Sequence, residues 1–519
     1  MRLVGTSIGV FALLAIFGGR HIRGGMAAIA RGHLKRLVIG AALLVVLAEL
    51  GLGVLLIPVL LLGGGALAAH KLRGPKEARG VEPARWRGPR ALVDAAVGGR
   101  RQGILLARTT VTHEPLRAAP DGNGLVCGPP RSFKSSRVLA PACLEHRGAA
   151  LIASTRRELI GMVGGARAEI GEVFEFDPFG RPEACVQWDP VEGCEDWETA
   201  LWRGIDLTSA ARDTEHASAE ARYWLAEATR TIQPLVHAVA TGRQRGLKLG
   251  MPDVLEWIED GTFIDPLALL PRGTPAAAQL AAIAQLEERP KASTLQTAAN
   301  CLAVYRFPSL GKLAGPEFTV DGFLEGKHTL FLVSGRKEHQ ALAPVLVALL
   351  AATVHRAEQL ERSGRRLDPN LLLCLDEAAN IVPFDGLPAA LSLGAGNGIS
   401  ALLAFQSLSQ MRARWRDEAD TILACCATKL FLGPTTDRVT LGYLRDVLGE
   451  VEIEQVSKSG GQRTKSKTRR PTLTPQQLQQ QRPGRGLWLH AHHAPAWVAL
   501  NPAPGREPQR RALTAKATP

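Results

Sequence analysis

Short, almost continuously apolar runs punctuate this chain: Gly124–Cys127, Ala149–Ala153, Val173–Phe176, Thr329–Ser334, Leu371–Leu375 and Ser400–Phe405. Runs that are apolar at nearly every position, rather than at alternate ones, predict strands buried on both faces, as in the parallel sheet of an α/β protein. Between the third and fourth runs the pattern changes. From about Trp197 to Arg306 the chain is Ala-rich with apolar residues at i, i+3 and i+4, clearest over Ala217–Ala240 and Ala276–Leu286, and punctuated at Gly250–Pro252 and Pro271–Pro275. This predicts an all-α segment inserted between two halves of one sheet. Leu487–His493 reads as part of a closing strand pair. Residues 457–470, basic and rich in Ser and Gly, read as a structureless run, either brushing phosphates or serving as a solvated linker. The tail beyond about Gly505 reads as disordered.

The N-terminal region carries a different signal. Residues 3–18 are apolar, and residues 37–69 are apolar apart from Glu49. A 16-residue helix reaches about 24 Å, slightly short of a hydrocarbon core about 30 Å thick, while the second segment is long enough to span it. A signal peptide is the competing reading of the first segment. Its single Arg, its glycine-rich end and the lack of a small-x-small cleavage site favour membrane anchoring instead. Lys71, Arg73, Lys76, Arg79, Arg85, Arg87 and Arg90 predict a cytoplasmic body. Arg20, Arg23, Arg31, Lys35 and Arg36 also prefer the inside, which two single passes would place outside; a short hairpin broken at Gly51–Gly53 obeys the rule but leaves each arm thin, and two passes remain the reading.

Chemistry collects at the ends of the apolar runs. Gly128-Pro-Pro-Arg-Ser-Phe-Lys-Ser-Ser136 follows the first run and precedes a helix towards His146. It matches the phosphate-binding pattern G-x-x-x-x-G-K-[ST] at every fixed position except Phe133. In such a loop, backbone N–H groups and the following helix N-terminus surround phosphates. Gly128, Arg131, Ser132, Phe133, Lys134, Ser135 and Ser136 are therefore the nucleotide-binding candidates, with Lys134 neutralising β/γ oxygens and the Ser135 hydroxyl binding Mg²⁺. The run Leu371–Leu375 ends in Asp376-Glu377, and Ser400–Phe405 ends in Gln406. A nucleotide-driven motor places its magnesium carboxylate, its water-activating Glu and its γ-phosphate sensor in this way. Asp376 is the metal candidate beside Ser135, and Glu377 and Gln406 are the catalytic candidates. Taken alone, Asp-Glu after an apolar run can also simply open a helix.

In order along the chain these motifs resemble the conjugative coupling proteins of type IV secretion, the TraG/TraD/VirD4-like ATPases. The resemblance rests on Gly128-Pro-Pro-Arg-Ser-x-Lys-Ser135, Ala149–Leu159, Gly171-Glu-Val-Phe-Glu-Phe-Asp-Pro178, Leu375-Asp-Glu-Ala-Ala-Asn-Ile381, Phe405-Gln-Ser-Leu-Ser-Gln410 and Thr428-Lys-Leu-Phe-Leu-Gly433. From about residue 370 the chain resembles the family's TraM-recognition region. The resemblance implies a RecA-like P-loop NTPase core with a parallel-dominated sheet, an inserted all-α domain and an N-terminal transmembrane region. The implied division is a transmembrane region over 1–70 (segments at about 3–19 and 37–66), a basic linker and start of the core over 71–120, first core part 121–195, all-α domain 196–306, second core part 307–502 and tail 503–519. It further implies ATP and Mg as ligands. The implied partners are DNA, a relaxase or relaxosome protein, secretion-channel components, the membrane, and further copies in a hexameric ring. The implied location is the bacterial cell membrane, multi-pass, with the body in the cytoplasm.

Composition fits this picture. The length of 519 residues exceeds one ordinary domain, and a net charge of +13 suits a polyanionic or membrane partner. Arg-rich composition also follows from high-GC coding. The eight cysteines show no zinc spacing and read as reduced thiols, with Cys425-Cys426 on a helix. His490, His492 and His493 read as edge or surface histidines rather than ligands.

Two departures from the family bear on activity. Phe133 stands where a glycine is expected, so it is either strained in the loop or turned outward. Ala378–Phe405 contains no Arg, whereas the family carries a trans-acting arginine there; Asn397 stands about where it is expected, with Arg412, Arg414, Arg416 or Arg438 as substitutes. Arg156 stands where the family often has Lys. Three readings follow: a working coupling ATPase, a non-hydrolysing scaffold that docks DNA or a relaxase, and a motor of the same fold that exports protein.

Overall fold

The computed structural model describes residues 103–504, apart from 120, 211–217, 311–316, 336–337, 382–383, 385, 395, 460–461 and 492. The two apolar N-terminal segments, the basic linker and the tail lie outside the described residues.

The strands, in chain order, are β1 (Leu105–Arg108), β2 (Pro115–Arg117), β3 (Gly124–Cys127), β4 (Ala150–Ser154), β5 (Val173–Phe176), β6 (Gln187–Trp188), β7 (Glu317–Phe318), β8 (Thr329–Val333), β9 (Leu371–Leu375), β10 (Ile399–Phe405), β11 (Thr428–Phe431), β12 (Glu450–Ser459), β13 (Gln462–Pro471), β14 (Arg485–His490) and β15 (Ala496–Ala499). Eleven of them form one sheet in the order β2-β1-β15-β14-β11-β3-β10-β9-β4-β8-β5. From β11 to β5 every pairing is parallel. The flank β14-β15-β1-β2 is antiparallel. The result is an α/β fold built on one mixed, mostly parallel sheet.

The near-continuous apolar runs are explained by two cores, one on each face. In β9, Leu371, Leu373 and Leu375 enter one core, and Leu372 and Cys374 the other. β10 splits likewise, with Ala401, Leu403 and Phe405 on one side and Leu402 and Ala404 on the other. Alternate side chains point to opposite faces, so a strand covered on both sides must be apolar throughout.

Helices fill the stretch between β6 and β7: Trp197–Ser209, Ala219–Gln244, Met251–Asp260, Ile264–Leu269, Pro275–Ala284 and Glu288–Cys301. Side-chain caps mark three of these starts, where Asp196 accepts from Thr199 N, Ser218 from Ala221 N and Thr274 from Ala277 N. Among the described residues one helix, His339–Arg362, has the length and apolar composition to cross a membrane, but its apolar window is 72% buried within this fold. It is a core helix, packed against Trp197–Ser209. All eight cysteines are free, and Cys425 ends the helix Glu418–Cys425.

One expectation is overturned. The basic run 457–470 is not structureless: β12 and β13 pair antiparallel over ten residues each, from Glu450↔Pro471 to Ser459↔Gln462. Opposite charges explain the pairing. Glu452 lies 3.6 Å from Lys467 and 3.7 Å from Arg469 across the ladder, and opposed pairs of this kind stabilise an antiparallel ribbon. The basic half of the hairpin had been read without its acidic, β-branched partner Glu450-Val-Glu-Ile453.

Candidate nucleotide site

The site is made by register. Cys127 pairs with Phe405, Leu375 with Leu403, and Ala153 with Leu375. The carboxyl ends of β3, β10, β9 and β4 therefore open on one edge of the sheet, where α/β folds place their ligands. The loop Gly128–Lys134 leaves β3, and helix begins at Ser135 with a wide first turn, Ser135–Leu139, continuing as Ala140–Glu145. The N–H groups of a first turn have no intrahelical acceptor and face an anion.

Two pairs of sequence-distant residues meet on this edge. Ser135 Oγ donates to Asp376 Oδ2 at 2.9 Å across a separation of 241 residues. Gln406 Nε2 donates to Glu377 Oε1 at 2.9 Å. Lys134 Nζ turns onto its own loop, donating to Gly128 O at 2.5 Å and Pro129 O at 3.0 Å. Gly128 itself has no room for a side chain: a Cβ there would stand 2.7 Å from the Leu432 Cβ and 2.9 Å from the Ser132 hydroxyl. Ser136 is half-buried and Arg131 exposed.

Three contributors escaped the sequence reading. Ser154, at the end of β4, gives Asp376 Oδ2 a second hydroxyl at 3.3 Å. Asn380 Nδ2 donates to Glu377 Oε2 at 3.3 Å, so both Glu377 oxygens are engaged. Gln410 Oε1 accepts from Gln406 N at 3.1 Å and holds the turn into the helix Leu408–Trp415. Each lies inside a segment already singled out, and their polarity at a strand's end was the available signal.

Backbone conformation is unusual here. Arg131, Phe133 and Glu377 adopt φ of 63°, 68° and 60°, a left-handed conformation costing a residue with a Cβ roughly 1–3 kcal/mol. Phe133 thus keeps the backbone shape a glycine would take, and its ring is turned outward, 45% exposed. The arginines considered as substitutes lie further along the chain. Arg412 pairs with Asp420 at 3.3 Å, and Arg414 lies over the Trp415 ring at 5.9 Å. Arg156 pairs with Glu158 on the surface. Asn397 N donates to Leu393 O in the turn ahead of β10.

Burial perturbs the charged groups of the site. Burial pushes the Asp376 carboxyl above the usual carboxylate range, opposed by the Ser135 hydroxyl and reinforced by Glu377. Burial also lowers the Lys134 ammonium, opposed by Asp376. A carboxyl raised in the folded state contributes stability below the ordinary carboxylate range, and that stability is lost as pH rises through the raised value. Asp376→Asn is therefore expected to melt higher than the parent at pH 7, with the gap closing towards pH 4. Thermal melts across that range check it; a lower melting temperature for Asp376→Asn at pH 7 contradicts the burial penalty.

The residues fit a magnesium nucleotide. A hydroxyl and a carboxylate, Ser135 and Asp376, stand one hydrogen bond apart, and Ser132 Oγ is buried with no partner. Among the described residues no three His, Cys, Asp or Glu side chains gather into a metal site. The Ser135 hydroxyl and Asp376 carboxylate suit Mg²⁺, which uses one or two protein oxygens and takes the rest from phosphate and water. The expectation of an edge or surface histidine fails for His490, which is buried on β14, an inner strand, bonded to Thr428 Oγ1 at 2.7 Å and stacked on Trp488 and His493. His492 lies outside the described residues.

Comparison with known proteins agrees with the fold. Residues 370–483 match the family described as the TraM recognition site of TraD and TraG. The conjugal transfer protein TraG of Agrobacterium fabrum (strain C58 / ATCC 33970) is 26% identical over 219 residues, covering 37% of this chain and 32% of that protein. The matched stretch thus spans about a third of that relative's length. Among solved structures, the bacterial conjugative coupling protein TrwBdeltaN70, in an unbound monoclinic form, aligns with a TM-score of 0.65 at 20% identity, covering 84% of this chain and 97% of that one. The plasmid coupling protein TrwB in complex with ADP and Mg²⁺ gives 0.63 at 20% identity, covering 84% and 98%.

Proposed function

We propose, from the premise that this chain is a TraG/TraD-like relative of the conjugative coupling proteins, that it is a coupling ATPase. In this reading it is anchored in the bacterial membrane by residues 1–70 and moves DNA, with its relaxase, into a secretion channel as a ring of six copies. The single observation that carries the nucleotide chemistry is the 2.9 Å hydrogen bond from Ser135 to Asp376. It joins the phosphate-loop helix to the strand-end carboxylate, the two oxygen donors a phosphate-bound Mg²⁺ requires.

The roles follow from position. The first-turn N–H groups and Lys134 bind the phosphates, Lys134 exchanging its two carbonyl contacts for phosphate oxygens. Ser135 and Asp376 hold Mg²⁺, which when bound neutralises charge growing on the transferred phosphoryl group. Glu377, fixed by Asn380 and Gln406, orients and deprotonates water. Gln406 sits between Glu377 and the helix Leu408–Trp415, so a change at the terminal phosphate is passed to that helix.

The test is ATP turnover by the full chain, with and without DNA, across a salt series. DNA-stimulated hydrolysis that weakens as salt rises is expected, because phosphate contacts release counterions. Lys134→Ala should abolish it. A second reading, a non-hydrolysing docking scaffold, draws on the lack of arginine in Ala378–Phe405, since a trans-acting arginine is worth roughly 10³–10⁵ in rate. DNA or relaxase binding without any hydrolysis selects that reading.

A further inference from the structure

The loop holds an aromatic side chain that phosphate binding does not use. Phe133 occupies a left-handed backbone position, φ 68°, with a 45% exposed ring. The Arg137 guanidinium, one helical turn on, lies over that ring at 5.9 Å. Arg137 is itself pinned: Nε donates to Asn501 O at 2.7 Å and Nη2 to Leu500 O at 3.4 Å, while Asn501 Nδ2 donates back to Arg137 O at 3.2 Å. Asn501 also donates to Leu106 O at 3.1 Å.

These anchors identify which side of the loop the ring faces. Leu500 and Asn501 follow β15, Leu106 is in β1, and Gly484, beside the Arg137 guanidinium, precedes β14. All belong to the antiparallel flank on one side of β3. Asp376, Glu377 and Gln406 belong to β9 and β10, on the other side. A triphosphate in the loop, its terminal phosphate towards those carboxylates, directs its nucleoside to the opposite flank, where the aromatic ring stands.

We propose that Phe133, with Arg137 as its positioning residue, is the stacking platform for the nucleotide's base. The proposal rests on the reading of this loop as a nucleotide site and adds to it the ligand class: a nucleoside triphosphate, taken with little discrimination among bases, adenine and guanine included. Stacking reads a π-face rather than a hydrogen-bond pattern, which is why it tolerates any base. It also accounts for a bulky residue at a position whose backbone favours glycine, since the strain there is offset whenever a base is bound.

The experiment is calorimetric titration of the full chain, in Mg²⁺, with ATP, GTP and inorganic tripolyphosphate, which has no base. Phe133→Ala keeps a Cβ at the strained position and removes only the ring. It is expected to weaken ATP and GTP by about five- to 150-fold, the range for loss of one base–aromatic stack, and to leave tripolyphosphate affinity unchanged. Phe133→Trp should restore nucleotide affinity. Equal losses for nucleotide and tripolyphosphate, or no loss for either, overturn the platform while leaving the nucleotide site standing. Failure of the unsubstituted protein to bind any of the three overturns both.

Discussion

Glu377→Gln is expected to lower ATP turnover by roughly 10²–10⁴-fold, the usual contribution of a positioned general base, while nucleotide affinity holds or improves. The expectation follows from how Glu377 is held. Its two carboxylate oxygens accept from Gln406 Nε2 at 2.9 Å and Asn380 Nδ2 at 3.3 Å, and the strained turn that carries it is closed by Asn380 N to Glu377 O at 2.7 Å. Glutamine keeps the size and the shape of that network, with one amide turning to match donors and acceptors. What it removes is basicity and one negative charge. The lost charge also relieves Asp376, whose carboxyl Glu377 helps to push up, so binding of an anionic triphosphate gains rather than suffers. Single-turnover kinetics beside equilibrium titration separate the two effects. Unchanged turnover removes Glu377 from the chemistry, and a parallel collapse of binding makes it a structural residue.

Arg167→Ala is expected to cost about 3–5 kcal/mol of folding stability, the scale of several buried acceptors stripped of their donor at roughly 1–3 kcal/mol each. Arg167 is fully buried near the end of the helix Glu158–Ala168. Its guanidinium donates from Nε to Thr329 Oγ1 at 2.7 Å, from Nη1 to His146 O at 2.5 Å, and from Nη2 to Gly148 O at 2.7 Å and Lys327 O at 3.3 Å. These partners precede β4 and open β8, so one side chain ties a covering helix to the starts of two central strands. Burial lowers the Arg167 pKa, yet an arginine stays charged at any ordinary pH. The loss should therefore show no pH dependence near neutrality. Denaturant unfolding monitored by tryptophan fluorescence measures it. A cost below about 1 kcal/mol, the level of an exposed hydrogen bond, contradicts the clamp.

Much of this molecule could be read in one dimension because the signals are local. Leu371–Leu375 and Ser400–Phe405 are apolar at almost every position, which only a strand covered on both faces tolerates, and both become central strands of the sheet. The helical text from Trp197 to Arg306 likewise becomes helices, three of whose starts carry their own capping residues. Polar residues at the ends of apolar runs marked the sheet edge on which Ser135 meets Asp376 and Gln406 meets Glu377. Misreading began where a segment's meaning lay in its partner: residues 457–470 look structureless until Glu450–Ser459 is laid against Gln462–Pro471.

The amino-acid order by itself therefore determined six strands of the sheet, the helical insertion, the phosphate-loop pattern and the family likeness, since each depends on neighbours a few residues apart. Tertiary structure alone decided that Ser135 reaches Asp376 across 241 residues, that Ser154 and Asn380 join them, and that the Phe133 ring turns outward onto Arg137. Strand register and chain closure govern those outcomes, because a shift of one residue in any central pairing would carry the carboxylates to a different level or face of the sheet.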